Sequence, residues 1–198
     1  MKVITIAREY AAGGHTIGRK VAERLGIEFD DRDILLKAAK ESGLDLNEII
    51  SEEEKLSKVE AFIHAITPVA FDMKDAIYEY ESRAIVELAK KGPCVILGRC
   101  ASAILRKEGI DCVSVYLHAE EKDRAERASE LLGVTDKVAL HRAIHKIDVA
   151  RRAYYETYTG GKWGAPSEST ISIDTGNVSV ETSVNIICAI ANDGVKEE

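Results

Sequence analysis

Gly13-Gly14-His15-Thr16 separates a β-branched run from an amphipathic segment, and residues of these types in this order can hold an anion. A Gly-Gly turn lets main-chain N–H groups approach a charged oxygen closely. The positive end of the following helix then faces the same point. Arg8, His15 and Arg19 flank the turn and could add side-chain charge. In the register G-x-x-x-x-G-K-[ST] of a Walker A loop, Arg8 takes the first glycine position, Gly13 the second, and Gly14 the lysine position. A plain strand–turn–helix fits the same residues, because Gly-Gly also punctuates ordinary loops.

Two further groups could act on phosphates. Gly98-Arg99-Cys100 follows the apolar run CVIL, so Arg99 can project over the end of a strand, where a planar guanidinium suits a phosphate bidentately. A surface salt bridge is the alternative for Arg99. Lys146, Asp148, Arg151 and Arg152 cluster in HKIDVARRAYYETYTGGKWG. There the acid stands about one turn before the paired arginines and can orient one guanidinium. Thr159-Gly160-Gly161 and Lys162-Trp163-Gly164 come next, glycine-flanked positions that suit a mobile cover. Phosphoryl transfer needs these parts: a cradle for donor phosphates, cations on the moving group, an acceptor pocket and exclusion of water.

The elements that must position these residues follow from hydrophobic period. Val3, Ile4 and Ile6 read as a buried first strand, and Ile17, Val21, Ala22 and Leu25 share a helix face that Gly26 caps. Strands are expected at 27–29, 94–97, 112–117 and 170–173, and helices at 33–42, 72–91, 120–132, 136 to about 158, and 180–191. Alternating strands and helices with near-continuous apolar strands predict an α/β fold, a mostly parallel sheet covered on both faces. Ligands gather beyond the carboxyl ends of such strands, and Arg8, Gly98-Arg99 and Asp174 all fall there. Glu52-Glu53-Glu54 reads as a solvated helix face and Lys196-Glu197-Glu198 as a frayed tail.

Composition bounds the function. A chain of 198 residues is expected to form one domain. Its formal charge of −7 and pI near 5.4 argue against a partner that is polymeric nucleic acid. Cys94, Cys100, Cys112 and Cys188 show no C-x-x-C spacing and read as buried, reduced thiols. No metal site on protein side chains is assigned. With no signal-type apolar run and no stretch near 18 apolar residues, a cytoplasmic protein without membrane contact is expected. A homo-oligomer is compatible with the sequence. The sequence argues against a dinucleotide oxidoreductase, because G-x-G-x-x-G is absent from the first turn and no acid stands clearly at the end of a second strand.

Across nearly its whole length the chain resembles the cytidylate kinase-like family, a divergent branch of the P-loop nucleoside monophosphate kinases. The resemblance is carried, in order, by ITIAREYAAGGHTIGRKVAERLGIEFDDRDIL, GPCVILGRCASAIL and KIDVARRAYYETYTGGKWG. It implies a three-layer P-loop fold with a core (1–30, 84–135 and 168–198), a helical acceptor-binding insertion (about 31–83) and a lid (about 136–167). It also implies transfer of the γ-phosphoryl of ATP, with Mg2+, to CMP or a related monophosphate. Gly13, Gly14, His15 and Thr16 then match the phosphate loop, and Arg99 the arginine of a G-R-D block that holds the acceptor. Asp148 and Arg151 match a D-x-x-R lid element in which Arg151 and Arg152 would act on the transferring group. Asp31 begins the acceptor insertion, and Arg83 is a further candidate for the acceptor's phosphate.

Two positions depart from the family pattern. Gly14 replaces the Walker lysine, and Cys100 replaces the acid that follows the arginine. Arg8, His15, Arg19 or a lid arginine could supply the lost charge. Cys100 cannot accept hydrogen bonds as a carboxylate does. These departures motivate two alternatives: a nucleotide-binding regulatory module without turnover, and a kinase for a non-nucleotide acceptor.

Overall fold

The computed structural model describes residues 2–30, 74–132 and 135–193. Among them, β1 (Val3–Arg8) lies between β3 (Cys94–Leu97) and β4 (Cys112–His118), with β2 (Glu28–Asp30) beside β3 and β5 (Ile171–Asp174) beside β4. Every pairing is parallel. The helices are α1 (Gly14–Leu25), α2 (Lys74–Lys91), α3 (Ala101–Lys107), α4 (Glu121–Leu132), α5 (Lys137–Thr159) and α6 (Val180–Asp193), with a 3-10 turn at Pro166–Glu168.

Strand alternation divides the core into two layers. Ile4, Ile6, Val95 and Leu97 face α1 and α6, where they pack with Ile17, Val21, Val184 and Ile187. Val3, Cys94 and Ile96 face the other way, onto Ile85 and Leu88 of α2, Ile104 and Leu105 of α3, and Tyr155 of α5. Most of these side chains are fully buried, so the central strands are apolar on both faces and read as unbroken runs. A third cluster joins Tyr10, in the loop after β1, to Ala128 of α4 and Leu140, Ile144 and Ile147 of α5. The loop after β1 is therefore anchored in a helix pair as well as in the sheet.

Expected elements and observed ones differ by a residue or two. β2 and β5 start one residue later than the apolar pattern suggests, and α2 is described over Lys74–Lys91. Asp136 lies just outside α5 as its N-cap, its carboxylate accepting from the N–H groups of Val138 and Ala139 at 2.9 and 3.2 Å. Gly26 ends α1 as expected: the N–H groups of Gly26 and Ile27 bond back to Glu23 and Ala22. The short helix α3 has no counterpart among the expected elements. The helix at 33–42, Glu52-Glu53-Glu54 and Lys196-Glu197-Glu198 lie outside the described residues.

Candidate active site

The loop from Arg8 to Gly14 leaves the carboxyl end of the central strand, and Gly14 opens α1. Gly13 has φ 79° and Ala11 φ 59°, left-handed conformations that wind the backbone tightly around the helix start. Arg8 runs across this loop. A Cβ at Gly14 would stand 2.9 Å from Cγ of Arg8, and a Cβ at Gly98 would collide with the Arg8 guanidinium. Two residues without side chains thus make the channel through which Arg8 crosses from the end of β1 to the end of β3. Its methylene stem passes Gly14, which occupies the loop's lysine position, and its guanidinium reaches Gly98.

Two arginines of α4 fix the outer side of the loop. The Tyr10 backbone is held on both sides of its Cα: its N–H donates to Oδ1 of Asp148 at 2.7 Å, and its carbonyl accepts from Nη1 of Arg124 at 3.3 Å. Arg124 and Asp148 pair with each other at 2.5 Å. Arg124 also donates to the Ala119 carbonyl and lies 3.3 Å from Glu9, whose carboxylate accepts from Ala119 N–H. Arg127 reaches the carbonyl of Ala11 and the hydroxyl and carbonyl of Thr175, and that hydroxyl donates to Ala12 at 3.0 Å. The sequence spacing predicts that Asp148 orients a guanidinium on its own helix; in the structure its partner is Arg124, one helix away. The reason is burial: Asp148 faces inward against α4, where Arg124 is itself only 8% exposed.

At the end of β3, Gly98, Arg99 and Cys100 follow one another at φ 80°, 59° and 56°. Two successive non-glycine residues there cost on the order of 1–3 kcal/mol each. Arg99 pairs with Glu81 of α2 at 3.2 Å, and Glu81 is fully buried. The second oxygen of Glu81 accepts the Tyr154 hydroxyl of α5 at 2.7 Å. Burial pushes the Glu81 carboxyl above the ordinary carboxylate range, while the Arg99 charge and the Tyr154 hydrogen bond oppose that rise. A buried pair, instead of a surface salt bridge, is what holds Arg99.

The paired arginines of α5 part company. Nη1 of Arg151 donates to the Arg8 carbonyl at 3.1 Å and its guanidinium lies 5.9 Å from the Tyr10 ring. Arg152 sits 5.8 Å from the Trp163 ring, which meets Tyr116 edge-on. The glycine-flanked segment after α5 is fastened to the core: Trp163 packs into the second apolar layer, and Glu168 receives the Tyr155 hydroxyl and Arg106.

The remaining expected residues are placed as follows. His15 and Arg19 lie on the exposed side of α1, 3.3 Å apart, with His15 edge-on to Phe29. Thr16 is exposed in the first turn of that helix. Arg83 faces outward with Glu79, whereas Glu81 on the same helix points into the core. Asp31 lies outside the described residues. Arg8, Gly13, Gly14, Asp148 and Arg151 therefore converge, with Arg99 beside Gly98 at the adjoining strand end. Glu9, Glu81, Arg124, Arg127, Tyr154 and Thr175 join the site without having been singled out from the sequence.

The chain is similar to several known proteins. Cytidylate kinase of Methanocaldococcus jannaschii is 28% identical over 197 residues, covering 98% of this chain and 99% of that protein. An uncharacterized protein from Eubacterium ventriosum superposes with a TM-score of 0.72 at 26% identity, over 96% of this chain and 97% of the other. Shikimate kinase from Bacteroides thetaiotaomicron shares the fold, with a TM-score of 0.56 at 14% identity over 93% and 95% of the two chains. The cytidylate kinase-like family model matches residues 3–177. With a parallel sheet of order β2-β3-β1-β4-β5 and a glycine loop at the end of its central strand, this chain belongs to the cytidylate kinase-like family of ATP-dependent phosphotransferases.

Proposed function

We propose that the protein transfers the γ-phosphoryl of ATP to a nucleoside monophosphate, CMP or a close relative. The observation that carries this reading is the course of Arg8, which joins the glycine loop at Gly14 to the strand end at Gly98. On this reading the N–H groups of Gly13 to Thr16 receive the donor's phosphates, and Arg8 supplies the charge of the missing lysine. Arg151, bonded to the Arg8 carbonyl, stands ready to neutralise the moving group, and Arg99 receives the acceptor's phosphate. Insertion (about 31–83) and lid (about 136–167) would flank this centre.

The donor set around the loop fits a magnesium nucleotide. Among the described residues no cluster of three or more His, Cys, Asp and Glu could hold a metal. Thr16, exposed in the first turn of α1, is the side chain that would join phosphate oxygens around Mg2+. When bound there, Mg2+ would supply positive charge to the donor's phosphates. Cys100 supports a second reading, a kinase with a non-nucleotide acceptor, because the carboxylate after Arg99 is missing. A panel of nucleoside monophosphates and small polyols with labelled ATP and Mg2+, read by mass spectrometry of products, tests both. Phosphorylated CMP or another monophosphate supports the first; a phosphorylated polyol alone replaces it with the second. ATP binding without any product would overturn both in favour of a regulatory module.

A further inference from the structure

Glu81 is the one fully buried acid among the described residues, and no part of the phosphate chemistry above uses it. An anionic carboxylate without water requires partners, and Glu81 has two from two other elements. Tyr154 of α5 donates to Oε2 at 2.7 Å. The other oxygen, Oε1, lies 3.2 Å from Nη1 of Arg99 but receives no aligned hydrogen bond. The pair is thus held by charge, and among the described residues the Arg99 guanidinium makes no hydrogen bond. Beyond the Nη1 that faces Glu81, no described residue takes its N–H donors. Arg99 is 25% exposed, so one side of it is anchored in the core while the other reaches the surface.

The backbone points the same way. Three successive left-handed residues, Gly98 to Cys100, turn the chain so that Arg99 can meet a carboxylate from α2 at the carboxyl end of β3. A guanidinium serving only to tie α2 to the sheet would be expected to engage Glu81 bidentately. A guanidinium held off its hydrogen-bond axis is instead oriented without being saturated.

We propose that Glu81 is the positioning residue for Arg99, holding that guanidinium where it receives the phosphate of the acceptor, with Tyr154 fixing the carboxylate from α5. The proposal rests on Arg99 being the acceptor's ligand in the function proposed above. Two opposite effects decide what loss of Glu81 does. Removing its negative charge strengthens the attraction of Arg99 for an anion, whereas freeing the side chain misplaces the acceptor. Attraction acts on binding; misplacement acts on rate, where an error of about 1 Å costs about a hundredfold. The signature is therefore a fall in kcat without a rise in the acceptor's KM.

The test compares wild type, Glu81→Gln, Tyr154→Phe and Arg99→Met. Glu81→Gln should lower kcat about a hundredfold, with acceptor KM unchanged or lower and ATP KM within about twofold. Arg99→Met should raise acceptor KM. Tyr154→Phe, which removes one donor from the carboxylate, should show the Glu81→Gln pattern to a smaller degree and decides the matter if Glu81→Gln does not fold. An unchanged kcat in folded Glu81→Gln, or a loss confined to acceptor KM, would overturn the proposal. Side-chain 15N relaxation of Arg99 provides a readout that needs no turnover: its Nε–H should be ordered in wild type and mobile in Glu81→Gln. Equal order in both overturns the role of Glu81. Absence of turnover on every monophosphate overturns the proposed function, and the Arg99 relaxation still decides for or against Glu81.

Discussion

Asp148 and Arg124 stand 24 residues apart, yet their side chains meet at 2.5 Å and together hold the N–H and the carbonyl of Tyr10. The phosphate loop is thereby joined to α4 and α5 through the backbone of one residue. A shift of either helix is a shift of the loop, because the partners are buried and have little room to rearrange. The acid of the D-x-x-R element acts on the loop's backbone.

Breaking this pair should be costly. Asp148→Ala leaves Arg124 largely buried without its strongest partner, and Arg124→Ala leaves the Asp148 carboxylate in the same position. Losses of about 3–5 kcal/mol are expected for each single variant. The double variant should lose clearly less than the sum, since neither charge is then stranded. Urea denaturation of the four proteins measures this coupling. Additive losses would mean that the two side chains act independently.

Local chemistry explains what the sequence made legible. Val3 to Ile6 and CVIL are buried on both faces, so their apolar runs mark the strands, and the 3.6-residue period of Ile17, Val21 and Ala22 marks α1. α3 was missed because Cys100, its N-cap, forms no side-chain cap and sits at φ 56°, where no preference of the residue announces a helix. The site was half legible for a related reason. Gly13-Gly14 and Gly98-Arg99 are local signals, whereas Thr175 and Ala12 meet across 163 positions and Arg124 and Tyr10 across 114. On α4, Arg124 and Arg127 look like ordinary helix charges until the sheet brings the loop after β1 beside them.

The two adjacent arginines of α5 should separate functionally. Arg151 touches the phosphate loop, and Arg152 lies over Trp163. Arg151→Ala is expected to reduce kcat on the order of a thousandfold or more, as for arginines that stabilise a transferring phosphoryl group. Arg152→Ala should cost about 0.5–1 kcal/mol of stability through the lost ring contact and change kcat less than about tenfold. Steady-state kinetics beside thermal unfolding distinguishes them. Equal rate losses would place both guanidiniums at the reacting phosphate.

The thiols are predicted to be inert in the folded protein. Burial raises Cys94 to about 11, helped by the nearby Glu28 and Asp30 charges, and raises Cys100 to about 12, helped by Glu81. A raised thiol pKa leaves less thiolate at any given pH, about 0.1% or less near pH 8 for such groups. Iodoacetamide should therefore leave Cys94 and Cys100 unmodified in native protein and label them after unfolding, as read by peptide mass spectrometry. Rapid native labelling of Cys100 would show the α2–α3 layer to be open.

The last prediction exchanges one cation for another. If Arg8 supplies the charge of the Walker lysine, its loss removes an interaction of about 4 kcal/mol for charges about 4 Å apart at an effective dielectric near 20. Arg8→Gly should then slow turnover on the order of a thousandfold, with weaker effects on ATP binding because backbone N–H groups remain. Gly14→Lys alone should not improve the enzyme, since its Cβ would press to 2.9 Å on Cγ of Arg8. It should lower activity by displacing that side chain. In the Arg8→Gly background the same lysine has room and restores the usual glycine and lysine positions, so the double variant should recover most of the lost rate. Purified single and double variants, assayed with the best acceptor, decide the point. A double variant no faster than Arg8→Gly would show that Arg8 has a different task.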